Sequence, residues 1–224
     1  PTLEPLLTLL LDTPPFFVMF WNSTGQSVAQ VAGNLLVGAP AAWAISRLRF
    51  RGRSMVRGLY IVLMLLPFQV TMVPSYLVLR QFGLLDTPWA IILPGIFSTF
   101  PVFIMERGFD TIPREVLESA SIDGANQWQR FWRIGIPLGI PGLISALTLG
   151  FLDAWNAIEQ PMTFLESPQY WPLSLFFTDP ANLDTKQLGL AMAASLWMLL
   201  PSILVFRFGQ TYLEAGLTKG AVKG

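Results

Sequence analysis

The 224-residue chain contains no cysteine and no histidine. Without cysteine there are no disulfides, thiolate metal sites or cysteine nucleophiles, and the redox compartment is not encoded. Without histidine there is no Ser-His-Asp triad, no usual zinc site and no general base titrating near neutral pH. Charge is scarce as well: 12% of residues are charged, against roughly 25% in soluble globular proteins. The 14 basic and 14 acidic residues balance, and a nucleic-acid binder would carry a basic excess. No G-x-x-x-x-G-K-[ST] occurs, so the chain has no phosphate-binding loop of its own. What it has is apolar surface, with 53% hydrophobic residues and a mean hydropathy of +0.53. These proportions describe an integral membrane protein that is not an enzyme.

A membrane helix needs about 20 mainly apolar residues. Five stretches qualify, near 26–46, 58–79, 88–107, 140–163 and 188–210. Each carries proline, which a membrane bundle tolerates as a kink because neighbouring helices satisfy the freed backbone groups. The small-residue pairs Gly38/Ala42 and Ala191/Ser195 are spaced for close helix approach, or arise by chance in Ala/Gly-rich spans.

The basic residues set the orientation. Arg47, Arg49, Arg51, Arg53 and Arg57 follow the first span; Arg107, Arg114, Arg130 and Arg133 surround the loop after the third; Arg207, Lys219 and Lys223 end the chain. Only Arg80 and Lys186 fall on the other side, so the positive-inside rule makes the first three regions cytoplasmic. The arginine run reads as a topology signal. An odd number of spans then puts the amino end outside. Because the sequence opens on Pro1, an initial sixth helix is expected to precede it. Residues 1–25, with Leu6–Leu11, Pro14-Pro15 and Phe20-Trp21, are expected to form an extracytoplasmic interfacial segment. Residues 26–210 form the membrane domain and 211–224 a cytoplasmic tail.

The cytoplasmic loop at about 108–139 is the most distinctive region. Pro113 suits a helix start, with Glu115 and Glu118 near its positive end. Asp123-Gly124 interrupts that helix: glycine takes a left-handed turn and aspartate is suited to cap the next helix. Ala125–Ile134 is amphipathic, setting Trp128, Phe131 and Trp132 against Gln127, Gln129, Arg130 and Arg133. Two short helices joined at Asp-Gly and ending at Pro137 make a knob beneath the membrane.

Glu118-Ser119-Ala120, three residues, Gly124, nine residues, Ile134, one residue, then Ile136-Pro137 resembles the EAA loop of ABC-importer permeases, E-A-A-x3-G-x9-I-x-L-P. Ser119 and Ile136 depart from that pattern. The likeness extends along the chain: Ala44 to Gly52 resembles the first inner loop of carbohydrate-importer permeases, Phe151, Trp155-Asn156 and Pro161 their fifth helix, and Gly216 to Gly224 the tail of the maltose-transporter type.

The resemblance implies an all-α, polytopic helix bundle of the type I importer permease kind, with five spans in this chain. It implies a multi-pass protein of the bacterial inner membrane forming half of a pathway for a sugar or related solute. The implied partners are a second homologous permease, two ATP-binding-cassette ATPases that use ATP and Mg, and an extracytoplasmic solute-binding protein. No cofactor or metal is expected on this chain. Glu118, Ser119, Ala120, Asp123, Gly124 and Ala125 would form the helix that couples to the ATPase.

A second group lies on the fourth span. At 100° per residue, Asp153, Asn156, Gln160 and Thr163 share an arc, with Glu159 beside it. Polar residues at membrane depth face a bundle interior or an aqueous cavity. They suit a sugar pathway in which amides and carboxylates meet hydroxyls and rings stack on Trp155 or a nearby aromatic, or else hydrogen bonds to the partner permease. Gln69, Thr71 and Ser75 are weaker candidates of the same kind. The alternatives are a permease for another solute class, or a self-contained secondary transporter or channel. The latter would need an internal repeat and a coupling-ion site, and no repeat is visible.

Overall fold

The computed structural model describes residue 9 and residues 14–178 and 188–221. The described elements are α1 (Pro14–Arg47), α2 (Arg53–Leu65), α3 (Phe68–Gln81), α4 (Trp89–Ile96), α5 (Thr99–Asp110), α6 (Arg114–Ile122), α7 (Gln127–Arg130), α8 (Ile136–Asn156), α9 (Glu159–Phe164) and α10 (Leu188–Ala221). A π-helical turn, Phe131–Gly135, joins α7 to α8, and short 3-10 turns follow α9. No strand occurs among the described residues.

Four helical stretches are long and apolar enough to cross a membrane: Pro15–Arg47, Trp89–Asp110, Gln127–Asn156 and Ala191–Glu214. The pair α2 and α3 makes a fifth when taken together. The stretch expected at 58–79 is therefore broken at Leu66–Pro67. Pro67 supplies no amide to the α2 ladder, and Leu66 before it takes an extended ψ of 125°, as a residue preceding proline prefers.

Three further boundaries differ from expectation. The first span begins at Pro14, not near 26, because Pro14-Pro15 suits the opening turn of a helix and Phe16 and Met19 find a core to enter. The 14–25 part of the expected interfacial segment is thus an extension of α1; Leu6, Leu7, Leu10 and Leu11 lie outside the described residues. Pro137 does not end a helix. The π turn, with the Ile136 amide bonded to the Phe131 carbonyl, lets the chain continue past the proline that would otherwise obstruct the α ladder. The fourth span stops at Asn156 rather than running to 163. Pro161 supplies no amide to the Ala157 carbonyl, which instead accepts a 2.6 Å bond from the Ser174 hydroxyl.

The chain forms two compact units. The first contains residues up to Gln30, Pro67–Gly95 and Phe151–Phe206; the second contains Val31–Leu66, Ile96–Gly150 and the chain from Arg207. In the first unit, Phe16, Met19, Trp155, Leu173, Phe176, Ala193 and Ala194 share one core cluster. Leu79, Ala90, Ile91, Phe164 and Leu165 form another. In the second unit, Trp43, Met105, Phe109, Ile112, Phe131, Leu143 and Ala146 pack around the ends of α1, α5 and α8.

Glycine sets the closest approach in the second unit. A Cβ on Gly142 would sit 2.5 Å from the Gly108 Cα, so α5 and α8 meet backbone to backbone. Gly135 and Gly139, two turns and one turn earlier, receive the Trp43 and Phe109 rings. Of the expected small pairs, Ala42 is buried and Gly38 lies against Val102, whereas Ser195 is exposed and bonds its own helix at the Ala191 carbonyl.

A polar stripe on α1 was not anticipated. Asn22 donates to the Gln169 and Trp171 carbonyls, Gln26 to the Tyr170 carbonyl, and the Ser23 hydroxyl accepts from the Leu173 amide, all in the first unit. Asn34 donates to the Ile96 and Ser98 carbonyls in the second. These side chains satisfy irregular backbone where helices break, which a membrane interior requires.

Candidate functional site

The knob expected on the cytoplasmic side is built from α6, Asp123–Asn126 and α7. Pro113 occupies the N-cap position and Glu115 falls in the first turn, where negative charge is favoured. Within α6 the Ser119 hydroxyl donates to the Glu115 carbonyl at 2.9 Å. At its end the Ala125 amide donates to the Ala120 carbonyl (2.9 Å) and the Gly124 amide to the Ser121 carbonyl (3.2 Å). With Gly124 at φ +81°, this is a Schellman motif, and it closes the helix at the residue whose lack of Cβ permits it.

The cap of α7 is a correction. Asp123 is the C-cap of α6, while Asn126 is the N-cap of α7: its side chain accepts from the Gln129 amide, and the Gln129 side chain accepts from the Asn126 amide. That reciprocal capping box was readable as Asn-x-x-Gln.

The knob is anchored at its base and open on its face. Ile112 and Phe131 are buried on either side of it, and Leu117 packs against the same cluster. No residue of α6 is buried. Glu118, Ser119, Asp123 and Gly124 are exposed, and Ala120 and Ala125 are half-buried. Ile122 is 87% exposed, an apolar side chain at the tip that occupies an unspecified position of the Glu118-to-Pro137 pattern.

The arginines of the first loop do more than signal topology. Arg47 donates through Nε to the Phe109 carbonyl at 3.0 Å and through Nη2 to the Phe109 and Ile112 carbonyls, covering the end of α5. Arg53 donates to the Ile45 and Ser46 carbonyls at the end of α1. Arg57 pairs with Glu106 and, at 3.1 Å, with Asp110, which accepts from the Ser46 hydroxyl at 2.6 Å. Glu106 is only 3% exposed, so Arg57 supplies the partner a buried carboxylate needs.

The second candidate group lies in the first unit. Since α8 ends at Asn156, Asp153 and Asn156 share one helix, whereas Glu159, Gln160 and Thr163 belong to α9; the single arc through 163 does not exist. Asp153, Asn156 and Glu159 are exposed and Gln160 is half-buried. Asn156 donates to the Leu152 carbonyl within its own helix. Gln69 on α3 donates to Glu159 at 2.8 Å, so two of the expected polar residues do meet. Thr71 and Thr163 bond backbone carbonyls one turn earlier in their own helices.

Trp155 is a correction. It is 2% exposed, stacked on Phe151 with ring centroids 5.7 Å apart, and its indole N–H donates to the Met198 carbonyl at 3.0 Å. Phe20 meets it edge-on. With its polar handle used and its faces covered, Trp155 is a core residue and offers no platform to a ring.

Elsewhere in the first unit, Asp86 ties the loop after α3 to the segment after α9. Its carboxylate accepts from the Glu166 and Ser167 amides (2.9 and 2.7 Å) and from the Ser167 hydroxyl (2.5 Å), while its own amide donates to the Phe164 carbonyl. The Ser167 hydrogen bonds, side chain first and then backbone, hold the Asp86 carboxyl below its ordinary pKa. Asp179, Lys186 and Lys223 fall outside the described residues. Among the described residues no three His, Cys, Asp or Glu side chains are placed to hold a metal ion.

The family model described as "Binding-protein-dependent transport system inner membrane component" matches residues 34–219. The chain is 34% identical over 212 residues to the inner membrane ABC transporter permease protein YcjP of Escherichia coli (strain K12), covering 94% of this chain and 76% of that protein. It is 28% identical over 223 residues to the arabinooligosaccharides transport system permease protein AraQ of Halalkalibacterium halodurans, covering 100% of this chain and 80% of that one. Among solved structures, a chain of a bacterial ABC transporter involved in the import of the acidic polysaccharide alginate superposes with a TM-score of 0.81 at 25% identity, over 93% of this chain and 78% of that one.

Proposed function

The chain belongs to the family of binding-protein-dependent transport system inner membrane components, and from that membership we propose that it works beside a second permease subunit to import a sugar or related solute. Two ATPase subunits, using ATP and Mg, drive the cycle from the cytoplasm, and an extracytoplasmic binding protein delivers the solute. The sugar assignment draws on relatives such as the arabinooligosaccharide permease and the alginate importer.

The observation that carries the coupling role is the combination of an open face and a fixed base at the knob. Glu118, Ser119, Asp123, Gly124 and Ile122 face outward for a partner, with Ala120 and Ala125 small enough to let its surface come close. Glu118 supplies a charge that sets the register of docking. Below them, Ile112, Leu117 and Phe131 are packed against Trp43 and Phe109, and Arg47 ties the start of the loop to the end of α5. A displacement of α6 by the closing ATPases is therefore passed to the ends of α1, α5 and α8 without being absorbed by a soft loop. A short helix closed by a Schellman motif at one end suits that task, since its length and direction are fixed.

For the solute, Asp153, Asn156, Glu159 and Gln160, with Gln69, offer carboxylates and amides on the surface of the first unit. Carboxylates accept from sugar hydroxyls and amides both donate and accept.

The test of coupling is Glu118→Lys. The charge reversal lies on an exposed face, so membrane insertion is expected to stay normal, while ATPase subunits copurify poorly and solute-stimulated ATP hydrolysis is lost. Full copurification together with normal uptake would remove α6 from the coupling role.

A further inference from the structure

The second unit contains a cavity of about 1450 Å³ that shares Leu117 and Glu118 of α6 with the proposed docking region but is walled mainly by residues to which the coupling role gives no part. Its wall includes the end of α1 at Arg47, the end of α5 at Asp110, and Gln127, which opens α7. These are the terminal residues of three membrane-crossing stretches, and the positive-inside rule places them at the cytoplasmic boundary. The cavity therefore sits at the depth of lipid head groups.

Its charge is unbalanced. Arg47, Arg49, Arg53, Arg57, Arg114 and Arg130 line it against three carboxylates, Asp110, Glu115 and Glu118. Among the described residues, Arg57 is the one arginine of these six that forms an ion pair. Arg47 and Arg53 direct donors to backbone carbonyls, which satisfy hydrogen bonds but cancel no charge. Arg130 is the most telling: its Nε is buried and has no hydrogen-bond partner. A buried guanidinium donor left unmatched is unfavourable unless an acceptor arrives from outside.

Guanidinium groups present forked donors that match phosphate oxygens. Beside the cavity runs α2, none of whose residues is buried and whose Met55, Leu59 and Val62 are exposed. Phe50, in the wall itself, is 42% exposed. Unpaired arginines next to an open apolar helix at head-group depth match a molecule that is anionic at one end and apolar at the other. We propose that this cavity binds the phosphate head group of an anionic phospholipid of the cytoplasmic leaflet, with its acyl chains along α2. The lipid would supply the acceptor Arg130 lacks and hold the first cytoplasmic loop against the base of the knob.

The test uses the complete transporter, purified with its partner subunits and equilibrated with vesicles of phosphatidylcholine containing phosphatidylglycerol. Lipid retained by the complex is then measured by mass spectrometry. The wild type is expected to enrich phosphatidylglycerol. Arg49→Gln and Arg130→Gln should each lower the enrichment by about fivefold, the effect of one basic charge near an anionic surface. Arg130→Lys, which keeps the charge and loses the fork, should fall between. If Arg130→Gln does not fold, the exposed Arg49→Gln and Arg49→Glu carry the comparison. Equal enrichment in wild type and variants overturns the proposal. So does inorganic phosphate at millimolar concentration displacing the lipid and raising the thermal midpoint equally, which would make this a free-anion site. Enrichment seen only after the ATPase subunits are stripped away also overturns it, because the cavity would then belong to a protein interface. Retention is read in the resting complex with Glu118, which also lines the cavity, left unchanged, so failure of lipid enrichment and failure of the coupling role are separate outcomes.

Discussion

Asp86 adopts φ +55°, a left-handed conformation uncommon for any residue but glycine, and three hydrogen bonds to its carboxylate hold it there. Those bonds favour the charged form, so the carboxyl titrates lower in the folded protein than in the unfolded chain. The contribution is fully present above the unfolded pKa, near 3.9, and is lost as pH falls through the lower folded value. The amides of Glu166 and Ser167 are accordingly expected to keep their protection from hydrogen exchange down to about pH 4 and to lose it only below. Asp86→Asn should weaken that protection at neutral pH and abolish its acid dependence. Unchanged protection in the variant would show that the loop is held by other contacts. Arg57 makes a related point in the second unit: a residue that reads as a topology signal is the partner of buried Glu106.

At the scale of the element, several helix ends are set by local devices. Proline ends α2 at Leu65 and interrupts the chain after Asn156; a Schellman glycine ends α6; a capping box starts α7; and a π turn carries the chain past Pro137 into α8. Gly124 lends itself to a clean experiment because nothing lies within 4 Å of where its Cβ would be. Gly124→Ala therefore meets no steric clash and tests conformation alone, at a cost of roughly 1–2 kcal/mol for a left-handed non-glycine residue. The expected outcome is faster amide exchange at Gly124 and Ala125 and reduced uptake with normal membrane insertion. Gly124→Asn should recover part of both, since asparagine tolerates this conformation. Wild-type exchange in the alanine variant would mean the turn is imposed by tertiary contacts instead of by the glycine.

At the scale of the whole molecule, α10 shows how much of the chain is made for other surfaces. Leu196, Leu199, Ile203, Leu204 and Phe208 are all exposed, as are Asp153, Asn156 and Glu159 in the first unit. An apolar exposed face suits lipid or another apolar helix; a polar one at membrane depth needs water, solute or a polar partner. Replacing Asn156 or Gln160 with leucine separates these roles. If they meet solute, uptake should fall several-fold or more, at roughly 0.5–1.5 kcal/mol net per hydrogen bond, while complex recovery and melting stay unchanged. Lost assembly with intact uptake per complex would assign them to the partner interface. Normal values of all three in both variants would remove them from either role.

The apolar stretches, the asymmetry of the basic residues and the Glu118-to-Pro137 spacing were legible directly, because each is a one-dimensional property of the chain. Span count and the exposed knob follow from hydropathy and turn chemistry acting over a few residues. The small-residue reading picked Gly38/Ala42 and Ala191/Ser195 and not Gly135, Gly139 and Gly142, whose role depends on Gly108 and the rings opposite them, since close approach requires knowing which helix lies opposite. Trp155 shows the limit most clearly: its sequence neighbours suggested a polar face, yet Phe151, Phe20 and the Met198 carbonyl enclose it. Likewise Ser174 accounts for the carbonyl freed by Pro161, and the polar stripe of α1 serves broken backbone far away in sequence. Local chemistry decided where helices exist. Long-range packing decided which helices meet and which polar groups remain open to a ligand, because only the folded chain shows which donors and acceptors already have partners.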